Sequence, residues 1–259
     1  MGRPWVWRRV FPGTHSGKDL RHGRTRRAGD VPAVGYGRCR APRREAHREA
    51  LLVEWDSVVF RRRYITGDLG LAGQIEGFGP DEVLPNREAC CEACAAIAQV
   101  YWADRMNRWT GDAACADMIE PVLHNGLLAG WSVSGDRFFY DNPLAADAPA
   151  GRQPWFSCAC CPSNVGRFIP SVGRYVYAAD RDTLYVNQFV SSEAVVDVGG
   201  AAIRVVQEAS FPWGGRVQLS LGGEALGDVR LASRRPAGVR ARGSMERRCR
   251  CGAWRPRRR

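Results

Sequence analysis

Six of the chain's ten cysteines crowd into two short clusters, Cys90-Cys91-Glu92-Ala93-Cys94 and Cys158-Ala159-Cys160-Cys161. Each cluster opens a stretch that reads as helix, and the first carries a carboxylate among its sulfurs. Thiolates and a carboxylate drawn from two elements are the donors that a soft or borderline metal such as zinc prefers. Any fold of this chain therefore has to bring two segments about 70 residues apart in sequence to one point. Glu92 and Cys94, two residues apart at a helix N-terminus, can turn to one ligand together. Cys160 and Cys161 can both ligate only where the backbone turns sharply between them, which the following Pro162 permits.

Two ligands from each segment make a four-coordinate site, and all-protein four-coordination is the usual mark of structural zinc, since catalytic sites keep a position open. The residues alone leave three readings standing: a structural zinc, a catalytic metal–thiolate, and an iron–sulfur site or an incidental set of buried cysteines. Disulfides are the poorest account of a cytosolic chain.

Charge invites a different function and then argues against it. The net charge is +11, yet residues 49–227 hold 13 Arg, no Lys and 22 Asp and Glu. The positive charge thus belongs wholly to the ends, while the middle is an ordinary acidic globular segment. The ends are rich in Arg, Gly, Pro and Ala with little apolar periodicity, so residues 1–48 and 228–259 read as disordered tails, not as a nucleic-acid-binding domain. No run of about 18 apolar residues is present, so no membrane span is expected. Met1–Pro12 is aromatic and basic where a secretory leader would be apolar, which makes cytoplasmic the expected location.

Helical periodicity begins near Arg48, with Leu51, Leu52, Trp55, Val58, Val59 and Phe60 on the spacing of a buried face. Residues 65–85 are rich in Gly and turn residues and read as a long functional loop. Helices are expected over 92–109, with Ile97, Val100, Tyr101 and Met106 inward, and over 112–128. Residues 130–140 alternate as a hairpin about Ser134-Gly135-Asp136. A further helix starts at Cys161-Pro162-Ser163-Asn164 and runs through Phe168 and Ile169. From Arg174 the pattern changes to short strands at 175–177, 183–190, 194–198, 202–208 and 216–221. Helices followed by strands make the fold mainly α plus β in two layers or domains, with the break near residue 172.

Several motifs taken in order resemble one family. They are Tyr64-Ile65-Thr66-Gly67, Gln74-Ile75-Glu76-Gly77-Phe78, Leu84-Pro85-Asn86, Glu92-Ala93-Cys94-Ala95-Ala96-Ile97, Phe139-Tyr140-Asp141-Asn142-Pro143-Leu144 and Trp155-Phe156-Ser157-Cys158-Ala159-Cys160-Cys161-Pro162-Ser163-Asn164. Together they resemble glycoside hydrolase family 127, the β-L-arabinofuranosidases, formerly a domain of unknown function. The resemblance covers about residues 49–227. It implies the back part of an (α/α)6 barrel over 49–172, followed by the first strands of a β-sandwich over 173–227.

The resemblance also implies a chemistry: a retaining glycosidase acting on a β-L-arabinofuranoside-like carbohydrate. Cys160 would be its nucleophile and Glu76 its general acid/base, with Zn2+ held by Glu92, Cys94, Cys160 and Cys161. Retaining hydrolysis ordinarily uses two carboxylates roughly 5–5.5 Å apart. A thiolate replaces one of them if a coordinated cation keeps it ionised. Glu76 taken alone is a carboxylate in a Gly-rich loop, which is more often simply solvated; its 16-residue step to Glu92 promotes it. His124, where relatives often carry Tyr, and Trp155 are candidates for sugar contact, against the blander roles of a structural histidine and a packed aromatic. Cys90, Cys91 and Cys115 read as buried small hydrophobes, and Cys158 as a neighbour of the site or a packing residue.

Family members are much longer, and the absence of their early helices sets the expectation that this chain is a fragment with impaired activity. The codons allowed for Gly29–Cys39, read one base later, spell MYLLSGMADV, like the helix that precedes Trp55 in the family. Those allowed for Asp228–Ser233 spell FALRL, like a sandwich strand. Both tails are therefore expected to be out-of-frame translation. The rival functions are a non-catalytic zinc-binding remnant and, less favoured, nucleic-acid binding through the Arg-rich ends.

Overall fold

The computed structural model describes residues 6–10, 44–70, 77–147, 151–223 and 229–236. Helices occupy the first part and small sheets the second, and the chain divides into two compact units, 23–170 and 171–259 with 1–22.

In the first unit, α1 spans Arg44–Arg61. Leu51 and Val58 are buried with Trp55 beside them, and Trp55 sits edge-on to Trp102 at 5.1 Å between centroids. This stripe follows the i, i+4, i+7 spacing of one helical face. Leu52 and Phe60, expected on the same face, are instead exposed, because each lies about 100° around the axis from a stripe position. The helix begins four residues before the expected onset at Arg48.

The second helix, α2, spans Ala93–Thr110 and buries Ile97, Val100 and Met106 as expected, with Tyr101 half-buried. Gly111 ends it in the left-handed conformation (φ 72°) and its N–H returns to the Asn107 carbonyl at 2.7 Å. Asp112 then caps α3, Ala113–Pro121, by accepting the Ala114 N–H at 2.9 Å. The expected single helix to Leu128 gives way to a π-turn at Val122–Leu127. Pro121 has no N–H to continue the ladder, and the chain widens directly after it.

The loop between α1 and α2 packs under this π-turn. A side chain on Gly126 would collide with the Asp68 carboxylate, and one on Gly67 would collide with Val122. Asp68 is 1% exposed; Thr66 Oγ1 donates to its Oδ2 at 3.1 Å, while Oδ1 has no partner among the described residues. The Ser134-Gly135-Asp136 turn forms as expected, with Trp131 and Phe138 as its bridging pair. The last helix, α4, spans Cys160–Phe168.

In the second unit, β1 (Val6–Val10), β4 (Ser192–Val198), β5 (Ala201–Ala209) and β6 (Val217–Gly222) form one sheet in the order β1-β4-β5-β6. A second sheet runs β2 (Tyr177–Ala179), β3 (Thr183–Val186), β7 (Arg230–Ser233). Alternate residues of both sheets share one core: Leu184 and Val186 with Val196, Val198, Ile203 and Val205. Gly199 and Gly200, both at positive φ, make the two-residue turn between β4 and β5.

Two expectations are corrected here. Composition places residues 1–48 and 228–259 outside the fold, yet β1 and β7 are strands and Arg44–Arg48 are helical. Strand β7 pairs parallel to β3, whose open edge needs a hydrogen-bonding partner. Val229 packs on the core, and the buried Arg234 donates to the Asn187 carbonyl at 2.6 Å and lies over Phe189. Charge composition does not register such docking. The expected strand 175–177 also shifts to Tyr177–Ala179, since Tyr175 closes a 3-10 turn.

Burial raises the Asp68 carboxyl from its ordinary 3.8 to about 7. The folded chain therefore binds a proton that the unfolded chain releases, so this group's contribution to stability falls as pH rises from about 4 to 7. Asp68→Asn is expected to flatten Tm against pH across that window and to match or exceed the parent above it. Each tenfold change in proton affinity corresponds to about 1.4 kcal/mol, which caps the effect at a few kcal/mol. An unchanged pH profile would contradict this.

Candidate metal centre

The ends of two helices meet at one point. Glu92 stands at the N-cap of α2 without making a side-chain cap bond, and its carboxylate turns to the sulfurs instead. Cys94 follows in the first turn. Cys160 and Cys161 are the first two residues of α4, where the helix start supplies the sharp turn that adjacent ligands require. Pro162 fits there because the first turn needs no intrahelical N–H. The unbonded N–H groups and positive dipole end of α4 favour anionic sulfur.

One donor atom from each of Glu92, Cys94, Cys160 and Cys161 lies within 4.8 Å of all the others. Cys94 Sγ to Cys161 Sγ is 3.8 Å, and Cys160 Sγ to Cys161 Sγ is 3.8 Å. Glu92 Oε2 is 3.7 Å from Cys160 Sγ and 3.8 Å from Cys161 Sγ. Metal–sulfur bonds of about 2.3 Å at tetrahedral angles would set sulfurs about 3.8 Å apart. The S–S and S–O separations of 3.7–3.8 Å are close to the edges of a coordination tetrahedron whose corners the donors would occupy. Their chemistry, three sulfurs and one carboxylate oxygen, suits a soft or borderline divalent cation.

Electrostatics points the same way. Burial first, then the negative neighbours Cys94 and Glu92, push the Cys160 thiol up to about 12. Cys161 is pushed up and Cys94 held down, each chiefly by the hydrogen bond the two sulfurs share. The set thus shares protons to avoid crowding anions, and a divalent cation would take the place of those protons.

The surroundings hold the cluster in place. Asn164 Nδ2 donates to Cys94 Sγ at 3.0 Å, and Tyr140 lies where it favours the ionised form of Cys160. Residues 139–145 are fixed against 86–90 by Asn142 N–H to Cys90 O at 2.8 Å and Ala145 N–H to Asn86 O at 3.0 Å. Cys90 donates its thiol to Asp141 Oδ1 at 3.0 Å, so it is more than a small hydrophobe. Cys91 and Cys115 are buried as expected, whereas Cys158 is exposed.

Of the expected site residues, Glu92, Cys94, Cys160 and Cys161 come together. Glu76 lies outside the described residues. His124 is exposed on the π-turn and Trp155 is 65% exposed, neither in hydrogen-bonding contact with the cluster. Trp155 meets it through a chain of rings: edge-on to Phe138 at 6.5 Å, which packs on Phe156 at 5.1 Å, which in turn packs on Tyr140 at 5.9 Å. Tyr140 and Asn164 belong to the motifs quoted above but carried no assigned role. Their only sequence signal is position, Asn164 falling one helical turn after the paired cysteines.

Two helix starts converge three sulfurs and a carboxylate in a cluster that could hold a metal ion, and comparison supplies the family. The model of the β-L-arabinofuranosidase catalytic domain of glycoside hydrolase family 127 matches residues 36–174. The chain belongs to this family. It is 36% identical over 181 residues to a non-reducing end β-L-arabinofuranosidase of Bifidobacterium longum subsp. longum, a match spanning 64% of this chain and 27% of that protein. Among solved structures, it is similar to a family 127 β-arabinofuranosidase at 41% identity and a TM-score of 0.70, over 74% of this chain and 31% of that one. It is also similar to the family 127 β-L-arabinofuranosidase from Geobacillus stearothermophilus T6, at 35% identity and a TM-score of 0.75, over 82% and 35% respectively. The chain therefore spans about a third or less of the length of these relatives.

The geometry predicts one tightly bound divalent ion per chain. Equimolar zinc should raise Tm and a chelator should reverse the gain; Cys161→Ala should abolish it, and Cys115→Ala should leave it intact. Equal zinc responses in the two variants would refute the assignment.

Proposed function

We propose that this chain carries the metal–thiolate part of the catalytic centre of a retaining β-L-arabinofuranosidase, and that the metal is zinc. The supporting observation is the placement of Glu92, Cys94, Cys160 and Cys161 within 4.8 Å of one another in a chain of this family. The helical unit corresponds in this reading to the back part of an (α/α)6 barrel, and the strands to the start of a β-sandwich. When bound, the zinc ion supplies positive charge that keeps the three sulfurs as thiolates at neutral pH.

Cys160 is the nucleophile in this reading. It is the half-buried member of the three sulfurs, whereas Cys94 and Cys161 are buried. Its sulfur attacks the anomeric carbon, and an S–C bond forms as the glycosidic C–O bond breaks. Glu76 donates a proton to the departing oxygen. Glu76 then takes a proton from water, whose oxygen attacks the anomeric carbon and releases Cys160, giving net retention through two displacements. Tyr140 favours the ionised form of the Cys160 sulfur. Trp155 offers an exposed indole face on which a sugar ring can stack, and His124 offers a polar contact.

The test is hydrolysis of an aryl β-L-arabinofuranoside by the zinc-loaded chain. Cys160→Ser should reduce release of the aryl group to background, and Glu76→Gln should slow it by about 10²–10⁴-fold. Trp155→Ala should raise KM more than it lowers kcat. Retained turnover in Cys160→Ser would remove it as nucleophile, and near-parent rates in Glu76→Gln would exclude it as acid/base. Zinc bound at one per chain with no hydrolysis would instead mark a non-catalytic metal-binding protein.

A further inference from the structure

Three sulfurs share one site, yet only one of them can serve as the nucleophile. The local hydrogen bonds distinguish them. Cys94 Sγ accepts the Asn164 amide at 3.0 Å. Cys161 is fully buried, with Cys94, Cys160 and Glu92 each 3.8 Å from its sulfur. Cys160 is the half-buried one of the three.

The position of Asn164 is set by α4. It follows Cys161 by three residues and Cys160 by four, so it shares their helix face. From there its amide crosses to the sulfur of a different helix, α2. It is thus a tie between the two ligand-bearing segments that contributes no ligand itself. An N–H donated to a thiolate withdraws charge from the sulfur and fixes its direction, as outer hydrogen bonds do for other metal ligands.

We infer that Asn164 is a positioning residue that fixes Cys94 as a permanent, unreactive ligand and so leaves Cys160 as the sulfur that reacts. The choice of nucleophile among three chemically identical thiolates then lies in two features of this chain: a donor on Cys94 and the greater exposure of Cys160. The inference rests on the metal–thiolate reading above.

The experiment uses the full chain loaded with Co2+, whose sulfur-to-metal charge-transfer absorption reports the charge on the sulfurs. Asn164→Asp keeps the side chain's shape and removes the N–H donor; Asn164→Ala removes both. Each variant should move the charge-transfer band to longer wavelength and weaken Co2+ binding about 10–100-fold. Among the three clustered sulfurs of the parent, Cys94, Cys160 and Cys161, iodoacetamide should alkylate Cys160 first, forming an S–C bond and releasing iodide. In both variants a substantial share of the label should move to Cys94, as read by peptide mass mapping. The Tm of the metal-free variants, near that of the parent, separates this from general loss of structure. An unchanged band, with label among the three clustered sulfurs confined to Cys160 in both variants, would overturn the inference while leaving the metal site standing. A parent chain that gives no cobalt–thiolate band would overturn the metal reading and this inference with it.

Discussion

Three sulfurs and a carboxylate held within 4.8 Å of one another, mostly out of water, are the interaction on which the helical unit turns. Such a set repels itself once ionised and is costly to bury. Burial and the neighbouring negative groups favour the protonated thiols of Cys160 and Cys161. A bound cation would take the place of those protons and link the start of α2 to the start of α4. The Tyr101–Phe168 ring pair, 5.8 Å apart, is their aromatic contact farther along the helices.

The rest of the unit supports those two helix starts. Gly70 allows the loop before α2 to pass against the backbone of Cys91, which itself takes a positive φ of 42°. Tyr64, Ala89 and Cys91 form a small buried cluster behind the first ligands. The hairpin and residues 139–145 present Tyr140 to Cys160. The aromatic residues from Trp155 to Tyr140 form a chain of ring contacts between the surface and the Glu92, Cys94, Cys160 and Cys161 cluster.

The convergence of Glu92, Cys94, Cys160 and Cys161 was legible in the sequence because its determinants are local. Cys-rich spacing, a carboxylate two residues from a cysteine and a proline just after a cysteine pair all speak of helix starts, and the helix periods beyond them confirm it. The bounds of α2 and the strands β4 to β6 followed from plain 3.6- and 2-residue patterns. Other features depend on contacts far away in sequence. The π-turn at Val122–Leu127 reflects the docking of Asp68 against Gly126 as well as Pro121. Strand β7 forms because β3 offers an edge, a fact invisible in a stretch whose composition reads as a charged tail. Leu52 and Phe60 passed as core residues because a short apolar run fits two adjacent stripes of a helix equally well. Asn164 acts through a side-chain hydrogen bond and Tyr140 through its place beside Cys160, and no spacing rule announces these.

The central claim is that the four donors form one coordination sphere, and X-ray absorption at the zinc edge tests it most directly. The full chain loaded with one equivalent of zinc should show three sulfur scatterers at about 2.3 Å and one oxygen or nitrogen scatterer at about 2.0–2.2 Å. A shell dominated by nitrogen and oxygen, or fewer than three sulfurs in the parent chain, would contradict it.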